Sequence, residues 1–478
     1  MAERTEDGGA SRCIDHGERY DLIVVGGGPS GLFCAQNCLP GNLHPDNIRH
    51  ESRRKGGMTG PAGRKAPKIL VLEKKGSLGR KLLISGLGRC NITHDGDIQS
   101  FLQHYGDRGR FLRPALLGFT NLDLISFFKE RGLNMIRQKS GKIFPDTMRS
   151  ADVLNILTEE CRAKGIIIKC GQAVSSIEKV DGGFFVCSQS RSMDAGHDME
   201  RADRTEIYSG TTLVLATGGC SYPATGSSGD GYEFARRLGH SIVDLGPALV
   251  PVNIRDYPFS ELAGVSLADM IVSLFRGSTG CSRKIKEHRG DILFTHGGLS
   301  GPGILDLSRY IRAGDTLKLS IVAEGERQSL DRWIAGGGQT SGFRSLHSHL
   351  WAHPTLKPLP DRLLRSVLRI SGIPPGLQAA QLSREKRNAI LENLTALPLV
   401  VSDTCGYNQA MTTRGGVDTA EVDPRSMQSR LVDGLYLVGE VLDVDGDCGG
   451  YNLQAAFSTA MLAARSIKGA FAGGIQSI

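Results

Sequence analysis

The sequence predicts an α/β protein whose parallel sheet is assembled from both ends of the chain, with an antiparallel β domain inserted between them. Three observations predict this fold class. First, the apolar runs in DLIVV (21–25) and KILVLEKK (68–75) are typical of buried parallel strands. Second, GLYLVGE (434–440) repeats that pattern near the other end and precedes a helical stretch, NLQAAFSTAMLAARSI. Third, ADMIVSLF, DILFT and TLKLSIVAE, between about 251 and 410, are short or alternating runs typical of antiparallel strands.

Two polar segments flank or interrupt this plan. Residues 1–19 are acidic and polar without the apolar centre of a secretory signal, so we expect a disordered tail. Residues 40–68 are rich in Gly, Pro and Arg, and we expect a surface insertion. The expected organisation is 20–250 for the first part of the parallel-sheet domain, 251–408 for the inserted domain with a helical piece at about 357–397, and 409–478 for the second part.

The composition of the 478 residues fits an ordinary globular enzyme, with 40% hydrophobic and 22% charged residues. Much of the net charge of +7 lies in 49–68, so the domains themselves do not read as a specific nucleic-acid binder. The 11 cysteines form no C-x-x-C pair, which indicates a reducing, cytoplasmic compartment without disulfides or zinc. The sequence contains no run of 18 apolar residues, so no membrane span is predicted.

A glycine motif follows the first predicted strand. Gly26, Gly28 and Gly31 form G-x-G-x-x-G at a strand-to-helix turn, where a tight turn, close backbone approach and helix packing each need glycine. The helix N-terminus then offers N–H groups to a pyrophosphate. Glu73 ends the second strand and is the candidate acid for ribose hydroxyls, although it lies farther along the chain than usual because 40–68 intervenes. The alternative is an ordinary acid at a strand end.

The run RKLLISGLGRCNITH (80–94) follows the second strand and admits three interpretations. Its glycines and basic residues could wrap backbone amides and positive charge around a diphosphate at the carboxyl edge of the sheet. It could instead be a solvated basic loop. Cys90 could be a redox nucleophile, but a cysteine a few residues away, which disulfide exchange needs, is missing.

Two further loops are candidates for ligand contact. In GEVLDVDGDCGGYNLQAAF, three alternating aspartates resemble a calcium loop, but Cys448 and Gln454 replace the required glycine and glutamate, so we reject calcium and predict no metal site. We prefer a ligand loop whose glycines at 449–450 open the last helix. ATGGCSYPATGSSGDGYEFA (216–235) ends a third strand, and its Gly218 could lie beside a cofactor ring; a generic glycine-rich turn is the alternative.

Taken in order along the chain, these stretches resemble the BaiN- and YhiN-like Rossmann-type flavoproteins, which include aminoacetone-oxidase-like enzymes. The matching segments include VVGGGPSGL, LEKKGSLGRKLLISGLGRCNITH, FTHGGLSGPGILDLS and GLYLVGEVLDVDGDCGGYNLQAAFSTA. The resemblance implies a Rossmann-type FAD-binding domain built from both chain ends, non-covalent FAD, an inserted barrel-like β domain and a small helical subdomain. The insertion at 40–68 and Leu87, in place of a small or polar residue, depart from the family pattern.

Carried over position by position, the resemblance gives a set of FAD-binding residues. The glycine motif and Glu73 would bind the ADP half, and Val174 would contact the adenine. The 81–91 loop would line the pyrophosphate and the flavin. The C-terminal loop would bind the ribityl chain and the ring, and its Asp443 would accept hydrogen bonds from the ribityl hydroxyls. The set is Gly26, Gly28, Pro29, Ser30, Gly31, Glu73, Lys74, Lys81, Gly86, Arg89, Cys90, Asn91, Val174, Gly218, Gly439, Glu440, Asp443, Gly450, Tyr451, Asn452 and Leu453.

The expected function is that of a FAD-dependent oxidoreductase that transfers a hydride through flavin N5. With one G-x-G-x-x-G, NADH or NADPH would have to bind transiently at the flavin face, or O2 could be the acceptor. Of these options we prefer an NAD(P)H-dependent reductase of a small organic substrate, without a specific nucleic-acid partner or a membrane partner. The alternatives are an oxidase of amines that uses O2, a flavin-containing RNA-binding or RNA-modifying protein suggested by 49–68, and a flavin carrier without turnover. His296 is the candidate proton donor, and Tyr222 and Tyr451 are comparable alternatives. The oligomeric state stays open.

Overall fold

The computed structural model describes residues 18–39, 66–190, 204–277, 282–340 and 345–473, without the side chains of 337–340 and 473. Almost all of the tail expected at 1–19 and of the insertion expected at 40–68 therefore lies outside the described residues. Within the described part, no helix combines the length and the apolar character needed to cross a bilayer.

The strands follow one another as β1 (Arg19–Val25), β2 (Ile69–Glu73), β3 (Thr93–His94), β4 (Met135–Arg137), β5 (Lys142–Pro145), β6 (Ile167–Cys170), β7 (Gln172–Val180), β8 (Gly183–Ser190), β9 (Arg204–Leu215), β10 (Ile242–Ala248), β11 (Val252–Ile254), β12 (Ser266–Arg276), β13 (Arg283–Phe294), β14 (Gly298–Ser300), β15 (Thr316–Ser320), β16 (Leu397–Thr404), β17 (Thr412–Val417) and β18 (Leu435–Leu437).

The α-helices are α1 (Pro29–Asn37), α2 (Arg80–Ile84), α3 (Gly109–Gly118), α4 (Asn121–Lys129), α5 (Ser150–Ala163), α6 (Asp230–Arg237), α7 (Pro302–Leu305), α8 (Arg327–Thr340), α9 (Leu346–Trp351), α10 (Asp361–Ile370), α11 (Arg384–Thr395) and α12 (Tyr451–Gly473). Short 3-10 turns connect several of them.

Within the described residues, seven strands form the main sheet in the order β6-β2-β1-β9-β8-β7, with β18 also paired to β9. The strands β6, β2, β1, β9 and β18 run parallel, whereas β7 and β8 form an antiparallel extension. Strand β9 joins the parallel and antiparallel parts of this sheet, because β8 pairs with its first half and β18 with its second half.

Both chain ends build this domain, as the sequence predicts. Strand β18 pairs with β9 through Leu435↔Leu213, and helix α12 packs against α1. The interior of β1 is fully buried, which explains its unbroken run of aliphatic residues. An α/β fold of the Rossmann type, with an inserted β domain, is therefore confirmed.

The inserted domain is a closed barrel of antiparallel strands in the order β11-β14-β13-β12-β15-β16, counted over the same described ranges. Helices α8 to α11 lie between β15 and β16 and pack on its core. The helical region thus begins at Arg327, well before the predicted 357. The run Gly336–Gly338 in α8 hides this helix from the sequence pattern, because glycine is a poor helix former.

Two small sheets that the sequence did not predict connect these parts. Strands β10 and β17 pair antiparallel, so the chain enters and leaves the inserted domain side by side. Strands β3, β5 and β4 form a separate sheet next to the loop that follows α2. The strands of these two sheets have no strong apolar alternation. They are therefore recognised by their pairing in the structure and not by a local sequence pattern.

An aromatic cluster fixes α1 against α12. The ring of Phe33 lies 5.0 Å from that of Phe457, 4.9 Å from that of Phe127 and 5.3 Å from that of Phe119. Edge-on and tilted contacts of this kind add to the hydrophobic gain of burial.

Replacing Phe33 by alanine should therefore lower the free energy of unfolding by about 3–5 kcal/mol, because the cavity left behind cannot collapse fully. Urea unfolding followed by far-UV circular dichroism measures the loss. The control is Leu122→Ala, which removes an exposed side chain of α4 and should change stability by no more than about 0.5 kcal/mol. Equal losses for both variants would contradict the packing.

Candidate active site

Loops at one edge of the main sheet surround a deep cavity. The carboxyl ends of β1, β2, β9 and β18 share this edge because these strands run parallel. Both chain ends contribute to the lining, and α7 of the inserted domain closes one side. The predicted residues that line the cavity are Gly26, Gly28, Pro29, Ser30, Glu73, Lys74, Lys81, Gly86, Arg89, Asn91, Val174, Gly218, Gly439, Glu440, Gly450, Asn452 and Leu453.

The three glycines of the turn after β1 have different structural roles. A Cβ on Gly26 would lie 2.3 Å from the carbonyl oxygen of Ala216, and one on Gly31 would lie 2.0 Å from that of Gly26. Both glycines are thus required for packing, and Gly31 is outside the cavity lining. Gly28 faces open space and begins α1, whose N-terminus has no side-chain cap. The N–H groups of the first turn therefore remain available to an anionic ligand.

The acid at the end of β2 holds the glycine turn. Glu73 Oε2 accepts a hydrogen bond from the Gly27 N–H at 2.9 Å, and Oε1 accepts one from the Lys75 N–H at 2.8 Å. A carboxylate has about four lone-pair positions, so capacity remains for two ligand hydroxyls. The neighbouring Lys74 forms an ion pair with Asp230 at 2.6 Å.

An ion pair joins the two chain parts across the cavity. Lys81 Nζ lies 2.6 Å from Glu440 Oε2, and Lys81 also contacts the hydroxyl of Ser221. Glu440 Oε1 accepts hydrogen bonds from the hydroxyl of Ser221 and the N–H of Thr413, both at 3.0 Å. The sequence marks Lys81 and Glu440 as separate contacts, and only the tertiary structure pairs them.

The loop after α2 bends through left-handed backbone conformations, with a φ of 56° at Gly86 and 59° at Leu87. The side chain of Leu87, which departs from the family pattern, is 90% exposed at the cavity mouth and does not fill the loop. Arg89 donates to the Gly86 carbonyl at 3.2 Å. With its amide oriented to satisfy its neighbours, Asn91 accepts the Gly450 N–H at 3.1 Å and so ties this loop to the C-terminal one.

Cys90 is excluded from redox chemistry by its surroundings. It is fully buried behind the loop, outside the cavity lining, and burial raises the pKa of its thiol to about 12. Since the thiolate is the reactive form of cysteine, this thiol is inert near neutral pH. The structure gives Cys90 a packing role in place of the predicted ligand contact.

Two predicted residues of the C-terminal loop lie behind the cavity wall. Asp443 is buried and pairs with Arg108, and its burial raises the pKa of the carboxyl despite that pairing. The Tyr451 ring is stacked between His94 and His104, with 4.1 Å to the nearer ring centroid. Neither residue lines the cavity, whereas Glu440 of the same loop does.

The three alternating aspartates do not converge on a common point. Asp443 pairs with Arg108, while Arg309 of the inserted domain lies 3.1 Å from Asp445 and 2.8 Å from Asp447. Burial raises the pKa of Asp445 to about 6. Asp445 and Asp447 therefore connect this loop to the inserted domain.

His296 is not brought to the cavity. It lies in the exposed turn between β13 and β14 and is absent from the lining, which receives Pro302 and Leu305 from this segment instead. The structure thus gives no support to its predicted role as a proton donor. The tight β13–β14 turn places the histidine on the outer side, a direction that sequence spacing could not reveal.

The sequence analysis did not predict two threonines in the cavity wall. Thr217 and Thr412 line the cavity, and their buried side-chain oxygens have no hydrogen-bond partner in the described residues. Buried hydroxyls normally have a partner, so each could take a polar group of a ligand. Thr217 follows β9, and Thr412 is the first residue of β17. The pairing of β10 with β17, which the sequence pattern does not predict, places Thr412 in the cavity wall.

Comparison with known proteins places the chain in a family. A family model described as HI0933-like protein Rossmann domain matches residues 56–466. The chain is 30% identical over 457 residues to the ribosomal RNA dihydrouridine synthase of Escherichia coli K12, covering 94% of this chain and 98% of that protein. It is also 30% identical over 406 residues to the 3-dehydro-bile acid delta(4,6)-reductase of Clostridium scindens, covering 83% and 92%. The ribosomal RNA dihydrouridine synthase of Haemophilus influenzae is 28% identical over 448 residues, covering 93% and 98%.

The chain belongs to the HI0933-like Rossmann-domain family. It is a FAD-dependent oxidoreductase, and the resemblance stated from the motifs is confirmed. The cavity of this HI0933-like protein fits FAD on two observations: the uncapped N-terminus of α1 suits a pyrophosphate, and the buried hydroxyls without partners suit polar groups of the ligand. The turn at 26–30 would hold the pyrophosphate, Glu73 the ribose, and 449–453 the flavin ring.

Replacing Glu73 by alanine should weaken FAD binding, because it removes charge-assisted hydrogen bonds worth about 1.5–3 kcal/mol each, or about 10- to 100-fold in affinity per bond. Fluorescence titration of the apoprotein with FAD measures the affinity. Glu73→Gln keeps an acceptor for the Gly27 N–H and should fall between wild type and alanine. Glu178→Ala, on the exposed face of β7, is the control. Unchanged affinity in Glu73→Ala would show that another acid binds the ribose.

Cys90 should resist alkylation in the folded protein. With a pKa of about 12, only about one thiol in 10,000 is thiolate at pH 8, and the site is buried. Iodoacetamide labelling followed by peptide mass spectrometry should modify the exposed Cys170 far faster. Rapid labelling of Cys90 before unfolding would contradict its structural role.

Proposed function

We propose that this protein reduces a carbon–carbon double bond conjugated with a carbonyl group, and that its substrate is a uracil ring in RNA. The observation that carries the proposal is the full-length similarity to relatives named for dihydrouridine synthesis and for reduction of a bile acid. Dihydrouridine is uridine with a saturated ring bond next to a carbonyl. A delta(4,6)-unsaturated 3-oxo acid has the same conjugated arrangement, so one chemistry serves both.

The chain would supply binding and electrostatics, and bound FAD would supply the hydride. The glycines at 449–450 precede α12 and line the cavity, so the N-terminus of this helix brings its partial positive charge to the part of the cavity where the flavin ring would bind. That charge would stabilise the negative charge of a reduced flavin ring. Pro302 and Leu305 of α7 close this end, so the substrate would lie between the two domains.

NADH or NADPH is the proposed electron donor, bound transiently at the flavin. A single G-x-G-x-x-G in the sequence supports this, since a dedicated nicotinamide domain would be expected to carry a second one. We propose a cytoplasmic location because the cysteines within the described residues form no disulfide, as is usual in a reducing compartment.

A basic strand of the inserted domain supports RNA as the substrate. Strand β13 exposes Arg283, Lys284, Lys286 and Arg289 along one hairpin. Lys284 and Arg289 have acidic partners, whereas Lys286 lies over the ring of Tyr310 at 5.5 Å. Such a strand would contribute salt-dependent contacts with phosphates.

A small conjugated ketone is the second candidate substrate, in line with the small-molecule expectation from the sequence. The similarity to the bile acid reductase and an apolar cavity mouth favour it. Ile84, Leu87 and Met411 are exposed apolar side chains that all line the cavity. They would contact a planar apolar ligand. The names of the relatives give no support to amine oxidation with O2.

An anaerobic two-step experiment tests the function. The purified protein should be yellow and release FAD, not FMN, on heating; NADH or NADPH should bleach its flavin, whereas an organic amine should not. The reduced enzyme is then mixed separately with unmodified ribosomal RNA, with a 4,6-dien-3-one steroid acid and with buffer. Only a true acceptor should restore the flavin absorbance, and the RNA product should gain two hydrogens in one nucleotide by mass spectrometry.

Each arm has a defined consequence. Reoxidation by the steroid acid and not by RNA would replace RNA by a small ketone. Bleaching by an amine, with reoxidation only by O2, would overturn the reductase in favour of the oxidase. A colourless protein without FAD uptake would overturn the flavin-dependent function as a whole.

A further inference from the structure

Three ionisable side chains form a line from the surface of the inserted domain to the cavity. Cys448 precedes the glycines that open α12 and lines the cavity. Its neighbour is Asp306, which directly follows α7, and the next is His288 on β13. None of them belongs to the FAD-binding set predicted from the sequence.

The distances make this line continuous. The Cys448 N–H donates to Asp306 Oδ1 at 2.7 Å, and the Cys448 thiol also hydrogen-bonds the Asp306 side chain. Asp306 Oδ2 lies 3.3 Å from His288 Nε2. The Asp306 side chain is only 9% exposed, whereas that of His288 is 32% exposed. A proton could therefore move from water at His288 to the thiol through one buried carboxylate.

Two glycines allow the inserted domain to bring His288 and Asp306 together. A Cβ on Gly290 of β13 would lie 2.9 Å from the nitrogen of Gly303 in α7, and one on Gly303 would lie 2.9 Å from the Gly290 carbonyl oxygen. The strand and the helix thus touch through their backbones. Larger residues would separate the imidazole from the carboxylate.

The charges around the line favour the protonated form of both end groups. Burial and the adjacent Asp306 raise the pKa of the Cys448 thiol, with Asp447 adding to the effect and Lys142 opposing it. Asp306 also raises the pKa of His288, with Asp447 acting in the same direction and Lys286 against it. Asp447 is itself held by Arg309 and His104.

We propose that Cys448 is the proton donor of the reaction, and that Asp306 and His288 are positioning residues that return a proton to its sulfur. This inference rests on the proposed reduction of a conjugated double bond. FAD reduced by the nicotinamide would supply the hydride to the alkene carbon farther from the carbonyl. The S–H bond of Cys448 breaks, and its proton forms a C–H bond at the carbon next to the carbonyl. The thiolate then takes the proton shared by Asp306 and His288, and His288 takes another from water.

The two half-reactions separate this role from a structural one. Cys448→Ala should leave flavin bleaching by NADPH unchanged and slow reoxidation by the accepted substrate about 10²- to 10⁴-fold, the usual value of a positioned acid. In D2O the wild type should place deuterium on one face of the carbon next to the carbonyl, and the variant should lose that preference. Cys405→Ser, a half-exposed cysteine outside the cavity, is the matched control. Full-rate, stereospecific reduction by Cys448→Ala would overturn the proposal.

The positioning residues have their own readout. His288→Gln should slow turnover, and added imidazole should restore it, because the site is open to solvent. Failure of imidazole to restore the rate, with the fold and FAD content intact, would overturn the relay.

A labelling experiment tests the line even if the substrate assignment fails. Because Asp306 raises the pKa of Cys448, Asp306→Asn should lower that pKa, increase the thiolate fraction and speed iodoacetamide labelling of Cys448 in the FAD-loaded protein. Labelling of Cys405 in the same sample is the internal reference. An unchanged ratio would overturn the coupling, whereas a wild type that reduces neither substrate would overturn the proposed function alone.

Discussion

The close contact between Gly450 and the backbone of Thr93 lets two distant ends of the chain share one cavity. A Cβ on Gly450 would lie 2.6 Å from the Thr93 carbonyl oxygen, so any other residue would push the C-terminal loop away. The Gly450 N–H also binds the amide of Asn91. The position and direction of α12, and with it the flavin-binding end of the cavity, depend on this contact.

Electrostatic pairing acts at the same junction and adds the inserted domain to it. Lys81 and Glu440 join the two halves of the sheet domain, and Arg309 joins the barrel to Asp445 and Asp447. Little of this charge is exposed, so salt screens it less than it screens surface pairs. The cavity is thereby lined by both parts of the sheet domain and by the inserted domain.

The sequence predicted those features that depend on short-range pattern. The buried strands, the glycine turn and the G-x-G-x-x-G helix follow from steric rules that act within a few residues, and most of the predicted FAD-binding residues line the cavity. Asp443, Tyr451 and Cys90 do not, because their side chains turn toward neighbours more than 40 residues away or into the core. A motif fixes where the backbone passes, but it does not fix which way a side chain points.

The sequence by itself thus determined the fold class, the two-part sheet domain and the family of redox enzymes to which the chain belongs. Only the tertiary structure decided which acid faces the cavity, that His296 is on the outside, and that Cys448, Asp306 and His288 form a line. The physical reason is that local pattern reflects burial and backbone conformation, whereas chemistry depends on contacts between segments far apart in the chain. Those contacts form only when the barrel and both chain ends pack together.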